Sequence, residues 1–161
     1  MFNHVAPDTC TGTGMGDFNI SGAAYMWVKA SKTWEEANAG CRQHGMELAA
    51  LASQSAGTAL HAAVAPYLAG SALYWLGGSD GEAEAGWSWS DGSIWSWTNW
   101  GADQPDGSTD ENCLAVPLTA DGTNGNVWHD KPCSQLGAFV CKSTGEECEH
   151  IMVACATFGP L

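Results

Sequence analysis

The chain has 161 residues, of which 18 are Asp or Glu and 5 are Lys or Arg, so its formal net charge is -13. This acidity excludes a nucleic-acid-binding protein, because a phosphate backbone is bound by clustered cations and the five cations here form no cluster. No apolar run approaches the ~20 residues of a membrane-spanning helix, so we expect no membrane insertion. The length suits one domain with its own core.

The first half of the chain predicts a strand followed by two helices. The composition of residues Ala23–Lys29 is typical of a strand. Thr33 and Glu36 form a capping-box pattern at the start of the first helix, and a glycine ends it. A second, alanine-rich helix is predicted over residues 53–65, where Pro66 stops it.

The second half predicts short strands separated by turns. Residues Leu73–Leu76 form a short apolar strand, which we expect Gly77-Gly78 to break. Further strands are predicted over residues 113–118, 126–128 and 137–142.

Acidic residues and tryptophans are concentrated in the same stretch. Between Asp80 and Asp130 there are ten acidic residues and no Lys or Arg, and seven of the nine tryptophans lie between Trp75 and Trp128. Tryptophan buries a large area, so this region is packed rather than a disordered acidic loop. Acid density in a packed region favours a calcium site over a solvated acidic face, because Ca2+ takes roughly six to eight oxygen ligands.

Seven cysteines in a chain of this size indicate an oxidising compartment, so we expect a secreted, extracellular protein. The cysteines are scattered, without the close pairs typical of zinc sites, and disulfides are the better interpretation. Asn19 begins a glycosylation sequon, which fits secretion.

A series of motifs, in order and spacing, resembles the C-type lectin domain family over about residues 23–142. The motifs are Trp34-x-x-Ala37-x-x-x-Cys41, Trp75-Leu76-Gly77-Gly78, Trp87-x-Trp89-x-Asp91-Gly92, Asn99-Trp100, Gln104-Pro105-Asp106, Glu111-Asn112-Cys113, Trp128-His129-Asp130 and Phe139-Val140-Cys141. The resemblance implies an α+β fold, with two helices flanking antiparallel sheets, a long irregular calcium- and sugar-binding loop, and stabilising disulfides. Residues 1–22 are then an N-terminal extension and residues 143–161 a cysteine-containing tail.

The resemblance also implies two disulfides. They join Cys41 to Cys141 and Cys113 to Cys133. Three cysteines lie outside this set, namely Cys10, Cys148 and Cys155. The two tail cysteines can pair with each other, or one can pair with the N-terminal cysteine, and either arrangement leaves one thiol. A disulfide-linked or non-covalent homo-oligomer is therefore an open alternative.

By the same resemblance, five side chains surround a calcium ion. They are Gln104 and Asp106 on either side of Pro105, then Glu111, His129 and Asp130. Positions i and i+2 of an extended segment point the same way, and a cis X-Pro bond fixes the bend between them. The residues expected to contact sugar as well are Gln104, Asp106, Glu111 and His129.

His129 departs from the family pattern, which has asparagine there. Imidazole nitrogen is a poor ligand for a hard cation. Either the ring points away and water takes its place, or its N–H donates to the ligand while other residues hold the ion. We expect weaker calcium affinity and loss of calcium at mildly acidic pH. A transition metal at this mixed His and carboxylate set is the alternative.

A second calcium site is suggested after the Trp75 segment. Asp80 and Glu84 match positions that join the shared glutamate around an auxiliary ion in some family members, and Asn112 is the third candidate. Gly107 and Asn112 stand where carboxylates are common.

In the family that the chain resembles, Gln-Pro-Asp accompanies galactose or N-acetylgalactosamine and Glu-Pro-Asn accompanies mannose, because exchanging amide and acid reverses the donor and acceptor layout. The resemblance of Gln104-Pro105-Asp106 therefore implies a lectin for galactose or N-acetylgalactosamine, with mannose less favoured. Residues 107–110 supply no aromatic ring to stack on the sugar, so selectivity is loose or His129 supplies the ring.

No enzyme is expected. Asp106 and Glu111 resemble a glycosidase pair, but their place on a calcium loop explains them better. The alternative function is a structural or matrix protein on the same fold, such as a biomineral, antifreeze or fibre component with little sugar binding. The acidity that calcium does not neutralise keeps this alternative open.

Overall fold

The structure, a computed structural model, describes residues 15–81, 86–107, 109–118 and 126–143. Its helices are α1 (Trp34–Gln43) and α2 (Gln54–Val64), and a 3-10 turn, Ala65–Tyr67, follows α2. Its strands are β1 (Met15–Ile20), β2 (Ala23–Lys32), β3 (Met46–Leu48), β4 (Leu73–Ser79), β5 (Ser88–Trp89), β6 (Cys113–Pro117), β7 (His129–Lys131) and β8 (Gly137–Ser143).

The described strands form one sheet in the order β1-β2-β8-β4-β6-β7, with β3 beside β8 and β5 beside β4. The pair β4 and β8 is parallel, and the other pairs are antiparallel. The predicted α+β fold is confirmed, although the sheet is mixed rather than wholly antiparallel. Acidic residues lie at its β6–β7 end, where Glu111 comes just before β6 and Asp130 lies within β7.

Both predicted helices are present with local caps. Glu36 donates its backbone N–H to the Thr33 hydroxyl at 3.3 Å, and the Thr33 N–H donates to the Glu36 carboxylate at 3.0 Å. This is the predicted capping box. The Ser53 hydroxyl accepts from the N–H of Ala56 at 3.2 Å and caps α2. Pro66 lies in the 3-10 turn that ends this helix.

Both disulfides implied by the resemblance are present. Cys41–Cys141 joins α1 to β8 across 100 residues, and Cys113–Cys133 joins β6 to the turn before β8 across 20 residues. In the chain-entropy model such loops stabilise a fold by about 4.7 and about 3 kcal/mol. The three remaining cysteines lie outside the described residues.

Two strand predictions are wrong. The Gly77-Gly78 pair does not break β4, which continues to Ser79. A Cβ at Gly77 would lie 2.7 Å from the Leu48 carbonyl oxygen, so glycine serves close packing there. Residues 126–128 form no extended strand, because the backbone of Trp128 pairs with the loop residues Asn99 and Gly101.

Sequence patterning also missed four strands, β1, β3, β5 and β7. Strand β1 pairs with β2 along its full length, so the sheet reaches into the segment assigned to the N-terminal extension. The boundary at residue 23 stays a prediction. Within the part of the chain that the structure describes, no helix is long and apolar enough to cross a membrane.

A tryptophan cluster supports the loop that precedes the acidic residues. Trp128 is fully buried, and its ring centroid lies between 5.0 and 5.9 Å from those of four other rings. Those rings belong to Trp89, Trp95, Trp97 and Trp100. All four pairs with Trp128 are edge-to-face, which is a favoured arrangement of aromatic rings. The cluster therefore ties loop 86–107 to the segment before β7.

Candidate calcium and sugar site

Two elements bring the acidic residues together. Gln104 and Asp106 lie in the loop and flank Pro105, and the Gln104–Pro105 bond is cis. Glu111 comes just before β6, and Asp130 lies at the centre of β7 opposite Leu114. Because β6 and β7 are hydrogen-bonded neighbours, the start of one and the middle of the other meet at the same place.

Three predicted ligands form a compact carboxylate group. Oxygen atoms of Asp106, Glu111 and Asp130 all lie within 4.8 Å of one another. Asp130 is 1% exposed, whereas Glu111 is half-buried and Asp106 is exposed. Like charges at this separation repel unless a cation neutralises them, and hard oxygen ligands suit calcium. The carboxylate group is therefore buried at Asp130 and open to solvent at Asp106.

Gly107 lets the loop backbone approach the carboxylates. A Cβ at this position would overlap the Cβ of Glu111 and would lie 2.9 Å from Asp130 Oδ2. The N–H of Gly107 donates to that same oxygen at 2.8 Å. No side chain fits at residue 107 without displacement of Glu111, so glycine there serves packing.

The amide side chains leave oxygen atoms in need of a partner. Gln104 donates its Nε2 to Asp106 Oδ1 at 2.5 Å, while its Oε1 is buried without a hydrogen-bond partner. Asn112 donates its Nδ2 to the Thr109 carbonyl at 3.0 Å, and its Oδ1 is likewise buried without one. Buried unsatisfied acceptors are costly, and a cation removes this cost. The residues therefore fit calcium.

His129 does not belong to the carboxylate group. It directly precedes Asp130 on β7. Burial lowers the pKa of the His129 imidazole, and the charge of Lys131 lowers it further, against the opposing effect of the three carboxylates. The ring is therefore neutral at pH 7. Its expected role in binding stays a prediction.

Lys131 is a member of the site that sequence reasoning missed. Its Nζ lies 3.7 Å from Glu111 Oε2, and both side chains are partly exposed. Its signal in the sequence was adjacency, since Lys131 directly follows the expected ligand Asp130. Strand pairing then sets Lys131 opposite Cys113, two residues after Glu111. A cation beside Glu111 partly neutralises the carboxylate group and competes for one ligand oxygen.

The suggested second calcium site is only partly described. Asp80 is 6% exposed, and its backbone N–H donates to the carbonyl of Asn112 at 3.2 Å, so these two residues are neighbours. Glu84 lies outside the described residues. Its part in a second site stays a prediction.

Comparison with known proteins identifies related sequences. The family model described as Lectin C-type domain matches residues 30–143. C-type mannose receptor 2 of Homo sapiens is 32% identical over 114 residues, which is 71% of this chain and 7% of that protein's length. A C-type lectin of Micrurus corallinus is 30% identical over 124 residues, which is 76% of this chain and 77% of the relative.

A solved structure shares the fold. The Ca2+-free form of a Ca2+-dependent type II antifreeze protein superposes with a TM-score of 0.69 at 27% identity. The superposition covers 80% of this chain and 97% of that structure.

Proposed function

Because the chain belongs to the C-type lectin domain family, we propose that it is a calcium-dependent carbohydrate-binding protein. The observation that carries the proposal is the carboxylate group of Asp106, Glu111 and Asp130, with its oxygens within 4.8 Å, beside the unpartnered Gln104 Oε1. Three carboxylates, one of them the buried Asp130, with an amide oxygen beside them make a set of ligands suited to a hard cation.

The chain's own residues have separate roles in this proposal. Asp130 anchors the loop through the N–H groups of Asp106 and Gly107, and it also supplies ligand oxygen. Glu111, Asp106 and Gln104 complete the oxygen set. Bound calcium supplies open coordination positions for two vicinal sugar hydroxyls. The ligating side chains then also bond those hydroxyls, the Gln104 amide as donor and the carboxylates as acceptors.

The proposed ligand is a glycan with terminal galactose or N-acetylgalactosamine. The support is the order of amide and acid around Pro105, with the donor at residue 104 and the acceptor at residue 106. The neutral His129 ring has one N–H to donate and takes the place of the usual asparagine as a sugar contact. Affinity at a single shallow site is weak, so several copies acting together would strengthen binding.

The proposed location is outside the cell. Two disulfides within the described residues support an oxidising compartment. A homo-oligomer, covalent or not, remains part of the proposal because three further cysteines are available. No catalytic role is proposed, since the family is one of lectins and lectin-fold proteins and the carboxylates are accounted for as calcium ligands.

Retention on immobilised sugars tests the proposal. The protein should bind galactose resin in calcium and elute with EGTA, and mannose resin should retain it less. Glu111→Gln should abolish retention, whereas the matched variant Asp110→Asn, at an exposed neighbouring acid, should be retained as the wild type is. Calcium-independent retention, or none on either resin, would overturn it.

A second candidate function is ice or mineral binding by the same fold. The likeness to a Ca2+-dependent antifreeze protein favours it, as does the net charge of -13. Thermal hysteresis and ice-crystal shaping, measured with calcium and with EGTA, distinguish this candidate from a lectin. Ice shaping without sugar retention would favour it.

A further inference from the structure

A cleft of about 350 Å³ lies between α2 and the loop around Trp97, and none of the three carboxylates lines it. The lining residues that matter are Gln54, Thr58, His61, Trp97, Asn99 and Asn126. We propose that this cleft binds a neutral saccharide without calcium. It is a site distinct from the one above, and it does not rest on the calcium-dependent function.

The chemistry of the lining suits a sugar. Three amide side chains and a threonine hydroxyl each both donate and accept, as the hydroxyls of a sugar do. One indole ring, that of Trp97, offers an apolar surface for the C–H face of a pyranose. The volume falls at the lower end of the roughly 300–1,000 Å³ of small-molecule sites, which fits one or two sugar rings.

Charge excludes an anionic ligand. No Lys, Arg, Asp or Glu lines the cleft among the described residues. The whole chain carries a net charge of -13, so phosphates, sulfates and acidic sugars are repelled. A neutral, hydroxyl-rich molecule suits both the uncharged lining of the cleft and the acidic charge of the chain.

The floor of the cleft is fixed before a ligand arrives. The Trp97 ring packs on Gly57, where a Cβ would lie 2.8 Å from its Cη2 atom, and it meets Trp128 edge-on at 5.0 Å. The Asn99 side chain donates its Nδ2 to the backbone carbonyl of Asn126. The backbone carbonyl of Asn99 accepts from the backbone N–H of Trp128 at 2.8 Å. Preorganised groups lose little entropy on binding.

His61 is held in a similar way. Its Nδ1 lies 3.2 Å from the hydroxyl of Tyr74, which is buried. Burial raises the pKa of Tyr74, so its hydroxyl keeps its proton and bonds the ring throughout the physiological range. The imidazole therefore has a fixed position at the wall of the cleft.

The cleft shares no residue with the carboxylate group, yet the two are close along the chain. From Asn126 to His129 there are three residue steps, at most about 11 Å when extended. An oligosaccharide probe could therefore touch both sites at once. Monosaccharides in the presence of EGTA separate them.

The direct test is an NMR titration of the 15N-labelled protein in EGTA with galactose, mannose or N-acetylglucosamine. We expect at least one sugar to shift the indole N–H signal of Trp97, assigned through Trp97→Phe, with a Kd of about 1 mM. The Trp34 indole, bonded to the Leu76 carbonyl at 2.8 Å, is the internal reference and should not move. An unshifted Trp97 signal with all three sugars would overturn the proposal.

Paired variants locate the binding. Ala62 lines the cleft from the exposed side of α2, so Ala62→Trp should fill it and weaken binding at least tenfold. Ala65→Trp makes the same change at an exposed residue that does not line the cleft, and it should bind as the wild type does. Equal affinities of the two variants would contradict a cleft site, provided that both unfold at the wild-type urea midpoint.

The two proposals fail separately. If only the calcium site binds sugar, Glu111→Gln removes all binding and Ala62→Trp changes nothing. If only the cleft binds, sugar binding resists EGTA and Glu111→Gln, and Ala62→Trp removes it.

Discussion

The buried carboxylate of Asp130 accepts a hydrogen bond from the backbone N–H of Asp106 at 3.1 Å, and its other oxygen accepts from the next N–H at 2.8 Å. The loop that carries two proposed ligands is therefore tied to β7 before any ion binds. Asp130 has a structural role as well as a proposed ligand role, and the two can be separated.

Asp130→Ala should destabilise the protein in EGTA by about 1–3 kcal/mol, because two backbone donors lose a charged acceptor. Glu111→Ala should cost less, since its partly exposed pair with Lys131 contributes little. Urea unfolding of both variants in EGTA measures the difference. Equal losses would contradict the larger structural role assigned to Asp130.

Calcium should raise the thermal unfolding midpoint of the wild type. A ligand that binds only the folded state stabilises it by about 2.7 kcal/mol at a hundred times its Kd. Differential scanning calorimetry with calcium and then EGTA measures this. Glu111→Gln should lose most of the shift. Magnesium should give a smaller one, because it demands near-octahedral geometry and dehydrates reluctantly. An equal shift in Glu111→Gln would place the ion elsewhere.

Gly107→Ala should weaken calcium binding at least tenfold. The new Cβ would overlap Glu111, which must move out of the carboxylate group. Gly40→Ala in α1 is the matched control, because a Cβ there meets the Phe139 ring at an ordinary 3.6 Å. Calorimetric titration of both variants with calcium tests the claim, and a wild-type Kd for Gly107→Ala would refute it.

Two helical glycines should respond in opposite directions. Gly40→Ala in α1 should stabilise by about 0.5–1 kcal/mol, because alanine has lower backbone entropy when unfolded and the new Cβ meets Phe139 at an ordinary 3.6 Å. Gly57→Ala in α2 should destabilise, because its Cβ would lie 2.8 Å from the Trp97 ring. The urea unfolding midpoints of the two variants test this prediction. A change in stability of the same sign in both variants would contradict the packing described.

Asp17 should make stability depend on pH. Burial raises the pKa of its carboxyl above the ordinary 3.8, so the unfolded chain ionises first as pH rises and the folded state loses stability across that interval. Asp17→Asn should therefore be more stable than the wild type at neutral pH, and its advantage should vanish below pH 3.8. Asp110→Asn removes the same charge from an exposed residue and is the control. A pH-independent difference would exclude this cause.

Features that depend on neighbouring residues were predictable from the sequence. The capping box of Thr33 and Glu36 was predicted correctly, because its partners lie three residues apart. The disulfides and the carboxylate group followed from a resemblance that runs through the whole domain. Strand β1 was missed, since its place is set by pairing with β2 rather than by its own composition.

The sequence by itself determined the helices and the acidic stretch, because these depend on residue type and short spacing. Its resemblance to a known family supplied the set of proposed ligands. Only the tertiary structure decided that Lys131 stands beside Glu111 and that Trp128 pairs with loop residues instead of continuing a strand. It also decided that α2 and Trp97 enclose a neutral cleft. Each of these contacts joins residues whose approach is set by sheet pairing and ring packing, which local composition does not specify.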